Sequence, residues 1–287
     1  MMEATERKKV TLPMLYKKYH DGEPITMLTC YDYPTAYLQD QAGIDMVLVG
    51  DSLGMTMLGY DSTLPVTMQD MIRHAQAVRR GAPHVWLIGD MPYMTYQPSV
   101  ESAIRSAGRF MAEASCDAVK LEGGREMADR MAGIVAAGIP AMGHLGLTPQ
   151  SASALGGFRL QGKGARQALR IIEDAQVLEE AGAFSILLEM VPDSVCEIIP
   201  ERASIPIISL GSGPQASGQL LIYHDMFGLY PKFTPKMAKV YANAGELILS
   251  GLKQYVDEER GGQFPQPENY FGIKDEEVDE IRRELGE

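Results

Sequence analysis

AGIDMVLVGDS, residues 42–52, carries the pattern that decides the fold. A helix ends at a small residue, a short apolar strand follows, and a carboxylate closes it. The unit returns in GAPHVWLIGDMP (81–92), SCDAVKLEGG (115–124), AGIPAMGHLG (137–146) and AGAFSILLEMVP (181–192). Runs this short and apolar suit strands buried on both faces. Gly43, Gly81, Gly138 and Gly182 suit positions just past a helix end, where glycine reaches the left-handed conformation cheaply. Amphipathic helices lie between the strands. In 99–114, Val100, Ala103, Ile104, Ala107, Phe110, Met111 and Ala114 recur at helical spacing behind Ser99 as N-cap. Ala168, Ile171, Ile172, Ala175 and Leu178 do the same in 165–181. Adding ITMLTCYD (25–32), PIISLGSG (206–213) and LLIYHD (220–225) gives eight strands. Alternation of strand and helix implies a parallel sheet, and no GxGxxG turn follows the first strand. The reading is a closed (β/α)8 TIM barrel of the α/β class, a single domain over residues 1–287.

The tail has another character. Residues 236–257 carry a helical pattern through Met237, Val240, Tyr241, Ala244, Leu247, Ile248 and Leu252. PQPENYF (265–271) reads as extended, and DEEVDEIRRELGE as a short acidic helix. The stretch 258–287 is expected to pack on the barrel or on a neighbouring subunit.

Composition narrows the partners. The 287 residues are 45% hydrophobic, enough for one large core, and carry a net charge of -12. A uniformly acidic chain is a poor match for nucleic acid or an anionic membrane. Local lysine or metal can still reverse the field in one pocket for a small anion. Cys30, Cys116 and Cys196 show no CxxC spacing and read as reduced thiols in a cytoplasmic protein. The N-terminus MMEATERKKV is charged and lacks the apolar run of a signal peptide, and no run approaches the roughly 18 residues of a membrane span.

In a parallel barrel, reactive groups sit at the C-terminal ends of the strands. Those ends carry Asp51, Asp90, Glu122, His144 and Glu189. Residues two apart share a strand face, so Lys120 points wherever Glu122 points. Carboxylates brought together this way repel unless a cation lies between them. Asp51, Asp90 and Glu122 suit Mg2+, which takes one or two carboxylates with water and substrate. Such an ion could chelate an α-keto acid and acidify the carbon beside its carbonyl. Glu189 lies in the apolar frame Ile186-Leu187-Leu188-Glu189-Met190-Val191, which should raise its pKa and suit it to general-base work. GGFRLQGKG (156–164) lacks the GxxxxGK[ST] phosphate-loop spacing and reads as a barrel loop. Its Arg159 and Lys163 face solvent or touch a large cosubstrate.

Longer motifs add a resemblance. TCYDYPTA, VLVGDSLGMTMLGYDSTLPVT, RRGAP, KLEGG, GHLGLTPQS and GQLLIYHDMFGL are similar to segments of the ketopantoate (3-methyl-2-oxobutanoate) hydroxymethyltransferase family, over about residues 10–271. The resemblance implies a barrel of the phosphoenolpyruvate-pyruvate class, assembled as a homodecamer. It implies one-carbon transfer from 5,10-methylenetetrahydrofolate to 3-methyl-2-oxobutanoate through a magnesium-stabilised enolate, with one Mg2+ per subunit. The product would be 2-dehydropantoate, on the way to pantothenate. By motif, Asp51 and Asp90 would hold the metal, with Glu122 binding it directly or through water. Asp51, Ser52, Asp90 and Lys120 would contact the keto acid, and His144 would lie near it. Glu189 would take the C3 proton. Tyr60 departs from the family's histidine, Ser212 from its alanine and Ser217 from its aspartate, which bears on folate binding and keto-acid choice. Two alternatives remain open at this point. One is a paralogous metal-dependent 2-oxo acid lyase or aldolase, although no KKCGH-type lyase motif is present. The other is a barrel that binds a keto acid without turnover.

Overall fold

The computed structural model describes residues 7–287. Residues 1–6, where the charged N-terminal stretch begins, lie outside the described residues. Eight parallel strands close in sequence order, β1-β2-β3-β4-β5-β6-β7-β8, with β8 returning to β1. They are β1 (Ile25–Thr29), β2 (Met46–Val49), β3 (Trp86–Asp90), β4 (Ala118–Glu122), β5 (Ala141–Gly146), β6 (Ser185–Glu189), β7 (Ile207–Leu210) and β8 (Gly218–Leu221). The helices through the seventh strand are α1 (Leu12–Asp21), α2 (Tyr33–Ala42), α3 (Leu53–Thr56), α4 (Met68–Gly81), α5 (Val100–Ala114), α6 (Ala128–Ala136), α7 (Ala152–Leu155), α8 (Ala165–Glu180) and α9 (Asp193–Ile198). After β8 come α10 (Tyr223–Met226), α11 (Ala244–Arg260) and α12 (Asp275–Leu285). The α/β TIM barrel read from the repeated strand units is therefore the fold.

Two cores hold it together. One fills the barrel with Ile25, Met27, Met46, Leu48, Ile88, Ala118, Met142, Leu187, Ile208 and Leu220, and α1 closes its lower end with Leu15. The other lies between the strands and the surrounding helices, where Phe110, Met131, Ile134 and Leu178 pack on outward residues such as Leu87, Val119 and Ile186. Each fully buried side chain of this size contributes about 1.5–3 kcal/mol. Close packing also dictates glycines. A Cβ on Gly89 would lie 2.3 Å from the Phe110 ring. Gly89 thus lets α5 press against β3, with Asp90 turned inward beside it.

Several boundaries differ from the sequence reading. Gly43, Gly138 and Gly182 do adopt positive φ, but Gly81 does not. It is the last residue of α4, and a Cβ there would lie 2.4 Å from the Tyr33 carbonyl oxygen. Close approach to α2, not turn geometry, requires glycine. The last strand begins and ends earlier than 220–225, because His224 and Asp225 belong to the one-turn α10. The tail helix starts at Ala244, later than its apolar pattern suggests. Backbone hydrogen bonds from Tyr241 N to Met226 O and from Ala244 N to Phe227 O tie the preceding stretch down instead. Met237 leaves the helical pattern to pack against the barrel interior. The 265–271 segment holds one 3-10 turn, Pro267–Asn269. The acidic helix is present as α12.

One part of the barrel wall is bare. A loop, not a helix, joins β7 to β8, and only the single turn of α10 follows β8 directly. The outward residues Thr26 and Gln219 are exposed, whereas β2 to β4, β6 and β7 are buried throughout. A groove of about 1290 Å³ runs along this face. α11 has no buried residue, and its Leu247 is 75% exposed.

Candidate active site

Strand parity sets the site. Inward positions alternate along each strand, so Ala118, Lys120 and Glu122 of β4 share one face, as do Ile88 and Asp90 of β3. The register places Asp90 opposite Lys120, and Glu122 opposite His144. Asp51 and Ser52 follow β2 in the turn that leads into α3. Asp51, Ser52, Asp90, Lys120, Glu122, His144 and Glu189 all line a single cavity of about 330 Å³ at the C-terminal mouth of the barrel. The structure thus brings these seven side chains together.

Charge dominates the geometry. Lys120 Nζ lies 2.8 Å from Asp90 Oδ1 and 3.8 Å from Glu122 Oε1. Burial alone would push this lysine down, but Asp90, Glu122 and Asp51 outweigh it and hold its pKa above the ordinary value. Burial, reinforced by Asp90 and Glu122, raises Asp51 well above the usual carboxylate range. Burial pushes Glu122 up to about 7, against the pull of Lys120. One ammonium thus faces the carboxylates of Asp51, Asp90, Glu122 and Glu189.

His144 bridges the cation and the remaining carboxylate. Its Nδ1 is 3.2 Å from Lys120 Nζ, and its Nε2 is 3.2 Å from Glu189 Oε2. Burial, followed by the neighbouring ammonium, depresses its pKa and keeps the ring neutral. Lys120 can only donate, so Nδ1 accepts and the ring proton sits on Nε2, facing Glu189. Glu189 is itself raised by burial, partly offset by His144, as its apolar frame predicts.

Asp90 Oδ1 and Glu122 Oε1 are buried and receive no aligned hydrogen bond. These acceptors, beside Asp51 and with a single lysine to balance them, fit a hard divalent cation with oxygen ligands. Among the described residues no three His, Cys, Asp or Glu side chains converge at metal-ligand spacing. Two carboxylates, with water and substrate completing the shell, would satisfy such an ion.

Gln150 and Tyr96 were not singled out in the sequence. Gln150 Nε2 donates to Asp51 Oδ2 at 2.9 Å, and its backbone N donates to Glu122 Oε2 at 3.0 Å. The Tyr96 hydroxyl donates to Gln150 Oε1 at 2.9 Å and accepts from Glu122 N at 3.0 Å. Together they set the spacing of two like charges without adding charge. Gln150 stands in the GHLGLTPQ motif, but an uncharged amide in a loop carries no signal of burial. Ser52 Oγ is 2.8 Å from the Tyr31 hydroxyl, which orients it at the cavity wall.

The departures from the family motifs fall apart spatially. Ser217 precedes β8 at the opposite end of the barrel, and its Oγ accepts from Ile207 N at 3.2 Å. Ser212 is buried, donates to Leu188 O at 2.9 Å and accepts from Val191 N at 3.0 Å. Tyr60 is 39% exposed in the loop after α3. Arg159 and Lys163 are exposed, while Phe158 between them and the barrel lines the cavity. The thiols of Cys30, Cys116 and Cys196 are free and buried, and burial pushes them up to about 12, 12 and 11. They are packing groups.

The chain matches the family model described as ketopantoate hydroxymethyltransferase over residues 9–267. It is 50% identical to the 3-methyl-2-oxobutanoate hydroxymethyltransferase of Syntrophus aciditrophicus, over 94% of this chain and 100% of that protein. It is 52% identical to the enzyme of that name from Ignicoccus hospitalis, over 92% and 99% of the two chains. Among solved structures, phosphonopyruvate hydrolase superimposes with a TM-score of 0.59 at 14% identity, covering 96% of this chain and 98% of that one. 2,3-Dimethylmalate lyase does so with a TM-score of 0.55 at 15% identity, covering 96% and 97%. These last two likenesses concern the fold alone.

Proposed function

We propose that the cavity at the strand ends carries out the one-carbon transfer of the ketopantoate hydroxymethyltransferase family, to which this chain belongs. The protein is a hydroxymethyltransferase enzyme that converts 3-methyl-2-oxobutanoate to 2-dehydropantoate, on the way to pantothenate. The observation that carries the assignment to this cavity is the His144 bridge between Lys120 and Glu189, a cation and a base on one wall.

In our reading 5,10-methylenetetrahydrofolate is the carbon donor and one Mg2+ per subunit is the metal. Asp51 and Asp90 would hold the ion, with Glu122 reached through water. When bound, such a cation supplies Lewis acidity at the substrate carbonyl. Asp51, Ser52, Asp90 and Lys120 bind and orient the keto acid, with His144 beside it. Glu189, desolvated and facing the Nε2 proton of neutral His144, takes the C3 proton. The Lys120 ammonium faces the oxygen that gains charge as that proton leaves. Water takes the methylene group to the formaldehyde level, its bonds to N5 and N10 breaking as tetrahydrofolate departs with both protons of the water. The nucleophilic C3 then adds to that carbon, and the former water oxygen, protonated, becomes the hydroxyl of the product. The test is product formation with methylenetetrahydrofolate and Mg2+ each present or withheld. Turnover requiring both supports the reading, and turnover without folate returns the lyase alternative.

We also propose that copies of the chain assemble, in a decamer as the resemblance implies, with residues 258–287 and the preceding helix packed on a neighbour. The exposed apolar residues of α11 and the bare β8–β1 wall support this. Among the described residues no helix is long and apolar enough to cross a membrane. Three free, unreactive thiols fit a cytoplasmic location.

A further inference from the structure

One carboxylate in the cavity has no part in the chemistry above. Asp225, in the one-turn α10 after β8, is only 7% exposed, yet it lines the same cavity as Lys120 and Glu189. Among the described residues no hydrogen bond donor or cation reaches its side chain. Burial alone, with nothing to offset it, pushes its pKa up to about 6. The hydroxyl of Tyr230, in the same lining, is fully buried and unpartnered. A carboxylate in a cavity without a donor, in the same lining as a buried hydroxyl without a partner, suits a ligand that supplies polar partners to both.

The keto acid does not bring one. 3-Methyl-2-oxobutanoate has a carboxylate, a ketone and an isopropyl group, all without an N–H or O–H donor. Its charge would be repelled by a second carboxylate. The surroundings of Asp225 describe the other ligand instead. Ile222, Phe158 and Phe233 line the same cavity, and the two phenylalanines are 52% and 57% exposed. Their exposed faces suit a flat ring system. Tyr230 stands edge-on to Phe233, with ring centroids 5.5 Å apart. Lys236 adds an exposed ammonium at the same lining. This part of the lining thus combines apolar and aromatic side chains with a buried acceptor-only carboxylate and an exposed cation. A reduced pterin fits this description. Its pyrimidinone edge presents a ring N–H and an exocyclic amino group side by side, two donors that a carboxylate accepts together.

We propose that Asp225 is the pterin-recognition residue of the folate subsite, accepting from the ring N–H and 2-amino group while Phe158 and Phe233 flank the ring. The inference rests on the folate reading of the function but goes beyond it, because it assigns a subsite and a specificity residue. Calorimetric titration of the full chain tests it, with tetrahydrofolate and its 2-desamino analogue as ligands and 3-methyl-2-oxobutanoate as the reference. Wild-type protein is expected to bind the desamino analogue about 10- to 100-fold more weakly than tetrahydrofolate. Asp225→Asn should weaken tetrahydrofolate by a similar factor, abolish the preference between the two ligands, and leave keto-acid affinity unchanged. Equal wild-type affinity for the two folates overturns the proposal while leaving folate as a cosubstrate, and that arm does not depend on whether the variant folds. A comparable loss of keto-acid affinity in Asp225→Asn also overturns it. Absence of any tetrahydrofolate binding by wild type overturns the folate reading itself.

Discussion

The mouth of the barrel and its wall between β8 and β1 are both unfinished in a single copy, in opposite ways. The mouth buries five carboxylates, Asp225 among them, against one buried lysine, and some of their oxygens have no aligned donor. The wall exposes strand positions, Thr26 and Gln219, whose counterparts elsewhere in the barrel are covered, and the apolar residues of α11 are exposed as well. An unbalanced polar site calls for ions and small ligands, whereas an uncovered apolar face calls for more protein. The two deficits thus differ in kind, one of charge balance and one of coverage.

Substitutions at each place should fail differently. The largest effect is expected for Glu189→Gln, which keeps the shape of the mouth but removes its base. Turnover should drop about 10²- to 10⁴-fold with an unchanged circular dichroism spectrum. A loss below tenfold would mean that another group takes the proton. Lys120→Met should act on stability as well. Removing the one buried cation leaves carboxylates unpaired, at a cost of about 3–5 kcal/mol in urea unfolding without divalent cation. Added Mg2+ should then stabilise the variant more than wild type. If the two unfold alike, the charge imbalance described for the mouth is wrong. The wall should respond in assembly and not in catalytic charge. Leu247→Asp with Leu252→Asp is expected to weaken self-association by about 1.5–3 kcal/mol for each apolar side chain, read as a smaller species in sedimentation velocity. An unchanged sedimentation coefficient would remove α11 from the interface.

The mouth was legible in the sequence because charge inside an apolar run is a strong signal. Asp51, Asp90, Glu122 and Glu189 end strands that are otherwise fully buried, and strand parity adds Lys120. Asp225 was less legible, because LLIYHD reads as one continuous strand, and only the turn after Leu221 aims that carboxylate into the cavity. Gln150 gave no signal, since an amide in a loop looks the same whether it faces solvent or joins two carboxylates. The wall was legible only in part. Helical spacing shows that α11 has an apolar face but not what it rests on. The pattern also began too early, because spacing does not register that Tyr241 and Ala244 are tied by backbone hydrogen bonds to Met226 and Phe227. Gly81 shows the same limit: the sequence marks a glycine, while its reason lies in the Tyr33 carbonyl of another helix.

In the mechanism we propose, Glu189 removes the C3 proton of the keto acid at this mouth before any carbon is transferred. Deuterium incorporation into 3-methyl-2-oxobutanoate, followed by NMR with Mg2+ present and folate withheld, tests it most directly. Wild type should exchange that proton and Glu189→Ala should not. Because burial raises the pKa of Glu189, its base form is lost as pH falls through that raised value. The wild-type rate should therefore climb with pH and level off only above the ordinary glutamate range of about 4.3. No exchange by wild type, or equal exchange by Glu189→Ala, would contradict the account.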